Sequence, residues 1–195
     1  MRLKQEESIQ WIASRRSVFP KEFEEGTVSK IEIEQLLEAA KWAPTHKSTE
    51  PWRFTVIVDP TQKELLINRQ VAALFLSKGE SEMVKAKADK FRFIGGKSSA
   101  VIAIVMKRDI QERLPVNEEL WAVACAVQNI HLHSASMNIG GYWSTGAMTN
   151  DDSIREFLNL SEDDIHMGWF YLGRYSKTKT LAKPRMIQED YVNWM

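Results

Sequence analysis

Residues 117–138 read NEELWAVACAVQNIHLHSASMN, and the chain continues GGYWSTG over 140–146. Apolar positions run almost all the way round this helical segment, as expected of a central helix covered on every side. Asn117 is placed to cap it, and Gly140-Gly141 to stop it. Upstream, 100–106 (AVIAIVM) is continuously apolar, the pattern of a strand buried on both faces. A central helix beside a doubly covered strand predicts one sheet wrapped by helices.

The remaining segments fit around that pair. Gln5 to Ser14 reads as a short amphipathic helix with Ile9 and Ile12 on one side. Ser29-Lys30-Ile31-Glu32 is a capping-box signature, and Ile33, Leu36, Leu37 and Ala40 then recur at helical spacing until Pro44 closes the helix. Phe54–Val58 predicts a strand and Thr61–Ser77 a second amphipathic helix. Between Gly79 and Gly96 the charges cluster, which predicts a mobile or surface helical excursion. Tyr142–Ser144 and Gly168–Leu172 (GWFYL) read as strands, with a short capped helix over Asn150–Leu158. No repeat, linker or low-complexity run divides the chain, so residues 1–195 are expected to form a single α+β domain.

Bulk properties narrow the function. Lys plus Arg and Asp plus Glu both number 26 in 195 residues, and the zero net charge gives no pull toward nucleic acid or a membrane surface. The N-terminus lacks the apolar core of a signal peptide and no run is long enough to span a bilayer, so a cytoplasmic protein is expected. Lone Cys125, amid Ala and Val, reads as a buried, inert thiol. Seven tryptophans and eight methionines favour either a large interface or a flat aromatic ligand.

Two apparent motifs fail. GGKSS at 95–99 resembles the tail of a phosphate loop, but the position needing the first glycine is Phe91, and the segment precedes a strand instead of following one. His131 and His133 are two apart on a helix and point to nearly opposite sides, so they cannot share a metal. They read as helix-surface residues, and no metal site is expected.

Three segments carry chemistry. Arg15-Arg16-Ser17 follows a helix and suits a phosphate, although paired arginines there could equally complement the helix dipole. The loop WAPTHKSTEPWRF (42–54) is stiffened by Pro44 and Pro51 and carries His46, Lys47 and Ser48; its plain alternative is a capped turn with solvated polar groups. In GGYWSTG the glycines permit close approach, Trp143 offers a flat face, and Ser144 and Thr145 offer donors; the alternative is a helix stop running into an edge strand.

Taken in order, RRS, AP-x-H-K-S-x-x-PW, GG-x-W-x-x-GA and YLG resemble the nitroreductase family, closest to its short single-domain members, over Ser14 to Gly173. The resemblance implies a nitroreductase-like α+β fold: a central antiparallel-type mixed sheet flanked by helices, assembled as an intertwined homodimer with FMN at its interface. It implies that Arg15, Arg16 and Ser17 hold the FMN phosphate and ribityl chain, with His46 on the same cofactor. Lys47 and Ser48 of the same loop are likewise expected to bind the cofactor. Trp143, Ser144 and Thr145 of the other subunit would line the ring. The implied activity is NAD(P)H-dependent reduction of a small aromatic electron acceptor, such as a nitroaromatic or quinone, by ping-pong hydride transfer through flavin N5. No protein side chain is then needed as a catalytic group. Dehalogenation, enoate reduction or flavin destruction on the same scaffold is the alternative, and a non-catalytic interaction domain a more distant one. Larger relatives carry a basic residue where this chain has Phe19, and Asn and Gln where it has Ser48 and Glu50. Lys47, the only cation inside the loop, is therefore assigned to stabilise reduced flavin, and Lys183 and Arg185 are candidates for further phosphate contacts.

Overall fold

The computed structural model describes residues 5–146, 151–176 and 184–195. Four strands, β1 (Trp52–Ile57), β2 (Ala100–Met106), β3 (Ile139–Ser144) and β4 (Ile165–Arg174), form one sheet in the order β1-β2-β4-β3. All three pairings are antiparallel, so the described sheet has no parallel pair and is not mixed. The central strand β2 is buried along its whole length. Its continuous apolar run arises because helices cover both faces, not because its neighbours run parallel.

Alternation along β2 sorts the core. Ala100, Ile102, Ile104 and Met106 face a cluster built with α2 (Lys30–Ala40) and α5 (Val116–Ser136). Val101 and Ala103 face the opposite cluster, built with α3 (Pro60–Lys78), α4 (Glu82–Lys97) and α6 (Asp152–Phe157). Successive side chains of a strand point to opposite faces, and each layer here finds its own set of helices. A register shift between Ile104 and Val105 lies opposite Gly168. Gly168 has φ +114°, and a Cβ there would land on the Ser144 carbonyl, so glycine alone lets β3 and β4 close at this point.

The segment over Gly79–Gly96 is neither a surface excursion nor loosely attached. It forms α4, whose Val84, Ala88, Phe91 and Gly95 are buried against α3. Those positions mark one helix face, concealed in the sequence by the lysines between them. The central helix also differs at its ends. It begins at Val116 behind Pro115 with no side-chain cap, and the chain reverses at Asn138, with φ +55°, before the glycines are reached. Gly140 and Gly141 belong to β3. A Cβ on Gly141 would approach the Phe170 ring to 2.6 Å, so this glycine permits packing rather than a helix stop. The strand preceding α3 starts at Trp52, two residues ahead of the predicted Phe54, and the last strand runs well beyond Gly168–Leu172. The short helix is α6, capped by Asp151; Asn150 lies outside the described residues.

The capping box forms as expected, and its Glu32 does more. Glu32 accepts from the backbone and hydroxyl of Ser29 at 2.8 Å and takes a two-pronged bond from Arg174 at the end of β4, 2.8 and 2.7 Å. The Arg174 bonds, then the Ser29 backbone bond, hold its carboxyl down to about 2. A carboxylate depressed in the folded state contributes stability above its ordinary pKa and loses it as pH falls from about 4.5 toward 2. Glu32→Gln, which keeps a capping amide, is expected to cost about 1 kcal/mol at pH 7, discounted for its solvent contact. The deficit should shrink between pH 7 and pH 3 in thermal melts and vanish only near pH 2; an equal deficit at pH 7 and pH 3 would disprove the linkage.

Candidate functional site

α1 (Gln5–Ser14) ends in a tight turn that separates the fates of the two arginines. Arg16 folds back on the helix end, donating to the carbonyls of Ala13 and of Arg15, the latter at 2.7 Å. It therefore satisfies one of the orphan carbonyls of α1, that of Ala13, and complements the dipole. Arg15 turns the other way, into the body of the protein, where its Nη1 lies 3.5 Å from Nδ1 of His131. Val18 then donates to the Gly141 carbonyl at 2.9 Å, tying this segment to β3. Ser17 stands exposed between them.

Arg15, Arg16 and Arg185 line one cleft of about 320 Å³ with Ile12, Ala13 and Gln128. Burial first, then Arg185 and Arg16, lowers the pKa of Arg15. None of the three guanidiniums forms a salt bridge among the described residues. Like charges gathered without counter-ions favour an anion, and guanidiniums match the geometry of phosphate oxygens. The structure thus joins Arg185 to the arginine pair; Lys183 lies outside the described residues.

His131 is not a surface residue. It is buried on α5, and its Nε2 lies 2.9 Å from the Arg16 carbonyl and 3.1 Å from the Gly141 carbonyl. Burial, then the nearby charge of Arg15, pulls its pKa down to about 4. The helical phase held the signal: His131 follows Val123 and Val127 at intervals of four, and both are fully buried. The same phase corrects Cys125, which is exposed, four residues after the exposed Trp121.

The loop before β1 is strained. Lys47, Ser48 and Glu50 have φ of 50°, 52° and 43°, a left-handed region that costs an ordinary residue about 1–2 kcal/mol. Such strain concentrates where function requires it. Side chains hold the loop in place. His46 Nδ1 meets a Glu118 carboxylate oxygen at 2.7 Å, Lys47 Nζ donates to the Arg113 carbonyl at 3.1 Å, and the Glu50 amide donates to Thr45 Oγ1 at 3.1 Å. Arg113 is itself fixed by a fork to Asp109 at 2.8 and 2.9 Å, which holds the Asp109 carboxyl down to about 2. Ser48 is exposed.

On β3, Trp143 is half-buried and donates from Nε1 to the Met167 carbonyl at 3.0 Å, fixing its ring beside the end of the sheet. Ser144 is half-buried and Thr145 exposed. The arginine pair and β3 therefore adjoin. The His46–Glu50 loop does not: it precedes β1, at the opposite edge of the sheet, about 14 Å away at the usual strand spacing. Its anchor Glu118 lies about 20 Å along α5 from His131 at 1.5 Å per residue. Among the described residues, no cluster of His, Cys, Asp and Glu is suited to a metal, and no helix is long and apolar enough to cross a membrane.

Comparison with known proteins agrees with this architecture. The profile of the Nitroreductase family matches residues 12–174. The Bacillus subtilis protein named "Putative NAD(P)H nitroreductase YfhC" is 31% identical over 180 residues, covering 92% of this chain and 90% of the relative. The nitroreductase-like family protein from Bacillus cereus superposes with a TM-score of 0.76 at 24% identity, covering 100% of this chain and 99% of the other. A nitroreductase with bound FMN from Bacteroides fragilis gives 0.74 at 19% identity, covering 97% and 98%. With the family pattern spanning helix α1 to the end of β4, the chain belongs to the nitroreductase family.

Proposed function

We propose that this chain is an FMN-dependent oxidoreductase that uses NAD(P)H to reduce nitroaromatics, quinones or similar flat acceptors, working as a homodimer in the cytoplasm. The observation that carries the reading is the cleft with three guanidiniums and no counter-ion among the described residues, which suits the dianionic phosphate of FMN. Arg15, Arg16 and Arg185 would hold that phosphate, with Ser17 adding a hydroxyl. Bound flavin supplies the electron-transfer chemistry, accepting electrons from the nicotinamide and passing them on. The protein's own residues bind, orient and shield. Trp143, locked by its bond to Met167, forms an aromatic wall, and Ser144 and Thr145 bring donors to the same edge.

The separation within one chain supports a particular allocation of the segments. Arginines and β3 share an edge, so we assign Arg15 and Trp143 to the same subunit. The strained His46–Ser48 loop then reaches the cofactor from the partner. A second copy also accounts for apolar residues left exposed by the single chain: Ile9 and Ile12 on α1, Trp121 on α5, Trp42, and Trp194 near the C-terminus. Covering these residues would complete the all-round burial of α5 that its sequence demands.

The test is a spectrum and a mass. Purified protein should be yellow, sediment as a dimer, and lose its flavin absorbance anaerobically on addition of NADH or NADPH. A colourless monomer that takes up no added FMN would refute the reading. Loss of the flavin itself with turnover would favour flavin destruction on the same scaffold.

Lys47 is the cation we assign to the reduced flavin, since the loop holds it in a fixed left-handed turn. Replacing one nearby positive charge weakens the anionic reduced form. Lys47→Met should therefore lower the two-electron midpoint potential by about 30–60 mV, equivalent to roughly 1.4–3 kcal/mol. A potential equal to that of the native protein would remove Lys47 from this role.

A further inference from the structure

We propose that His131 is a positioning residue for Arg15: a neutral imidazole that fixes the guanidinium toward the phosphate cleft and so sets the preference for a phosphorylated flavin. The inference rests on the reading of the arginine cleft as an FMN phosphate site. It concerns a residue with no place in the family motifs quoted above.

The tautomer follows from the partners. Both groups at Nε2, the carbonyls of Arg16 and Gly141, can only accept, so Nε2 carries the hydrogen and shares it between them. The group at Nδ1, the Arg15 guanidinium, can only donate, so Nδ1 presents a lone pair to it. This one neutral form satisfies all three contacts. A protonated ring would set an N–H against a guanidinium, and the other neutral tautomer would face two carbonyls with a lone pair. At 3.5 Å the Arg15 contact is long, as fits a guanidinium held loosely enough to close on an anion.

The ring has little freedom to do otherwise. Phe170 meets it edge-on with centroids 5.1 Å apart and planes at 89°. Gly141 leaves room for it, because a Cβ there would lie 3.3 Å from His131 Cδ2 as well as striking Phe170. The imidazole thus ties together α5, the 15–18 segment and β3, and offers its remaining nitrogen to Arg15. A purely structural tie would need only the Nε2 side. A lone pair aimed at the Arg15 guanidinium, which turns inward, gives the other nitrogen a task.

The experiment compares FMN with riboflavin, which lacks the phosphate, by fluorescence titration of apo-protein. His131→Leu removes both ring nitrogens. It should reduce the ratio of FMN to riboflavin affinity by about ten-fold while riboflavin binding changes by less than about two-fold. His131→Gln can donate its amide to a carbonyl and offer its oxygen to Arg15, and should restore most of the ratio. In an Arg15→Ala background, His131→Leu should lower the ratio no further. Equal losses for both flavins, or an unchanged ratio, would overturn the inference and leave His131 a structural tie. If instead the native protein itself shows no preference for FMN, or Arg15→Ala keeps the native preference, the phosphate site is what fails. Should the leucine variant not fold, ¹⁵N imidazole shifts of the native protein decide: a bare Nδ1 that responds to FMN and not to riboflavin is required, and a protonated Nδ1 at pH 7 would overturn the assignment.

Discussion

Arg15→Ala is expected to purify with little or no FMN and to bind added FMN about 30- to 150-fold more weakly than the native protein. One charge-assisted, two-pronged contact to phosphate contributes roughly 2–3 kcal/mol, and each 1.4 kcal/mol is a factor of ten in the dissociation constant. The same substitution should not weaken the empty fold. Arg15 lies half-buried among like charges, and burial, Arg185 and Arg16 all disfavour its charged form. Removing it relieves that repulsion, so apo-protein melting should stay level or rise. Opposite signs on two measurements make the prediction sharp. An alanine variant carrying a full complement of FMN would contradict the site, and one that loses flavin only because it melts earlier would reassign Arg15 to structure. Arg16→Ala should behave differently, since Arg16 spends one prong on the carbonyls of Ala13 and Arg15 at the end of α1 and its loss also frays that helix end.

The residues that make each element were legible before the elements themselves. Capping at Ser29, the buried run at 100–106 and the amphipathic spacing of α3 are local signals, and they appear where the spacing predicts. What local pattern could not supply was depth. His131 and Cys125 sit on the same helix six residues apart, one buried and one exposed, opposite to a reading from residue type. Their depth depends on which face of α5 meets the sheet, a matter of tertiary packing that propensity does not encode. Hydrophobic phase did encode it, because Val123 and Val127 define the inward stripe and Trp121 the outward one. For α4 the same stripe was present but diluted by exposed lysines and acids. The two faces of β2 were legible as burial but not as strand direction, since antiparallel and parallel neighbours demand the same apolar run once helices lie on both sides.

The candidate site divides in the same way. Its chemistry was in the motifs, whereas its geometry depended on sheet order. The loop of His46 and Lys47 leads into one edge strand and Trp143 lies near the end of the other, and nothing in their spacing reveals that β2 and β4 lie between them. The anchors of the loop, Glu118 and the Arg113 carbonyl, were likewise silent, because both partners lie far away in the chain.

Those anchors depend on a buried ion pair, and breaking it should produce the largest loss of stability from one substitution. Glu119 is fully buried at the start of α5, bonded to Arg108, while its second oxygen accepts from the Asp109 amide at 3.0 Å. Arg108 also donates to the Leu114 carbonyl at 2.8 Å, so one guanidinium closes the 108–114 turn onto the helix. Arg108→Met keeps the apolar stem but strands a carboxylate with no cation. Removing one member of a buried pair costs about 3–5 kcal/mol, which for a chain of this size lowers the melting temperature by roughly 6–20 °C. The double variant Arg108→Met, Glu119→Leu leaves no unpaired charge and should recover most of the loss. The consequence reaches the site because the same turn carries Arg113, whose backbone carbonyl accepts from Lys47, and the residue just before Glu119 on α5, Glu118, carries the pair to His46. If the turn loosens, the strained loop loses both clamps and relaxes toward ordinary backbone angles. Arg108→Met should therefore lose NAD(P)H oxidation at temperatures where its circular dichroism is still native. Activity and ellipticity falling together would show that the ion pair supports the whole fold, and not the loop in particular.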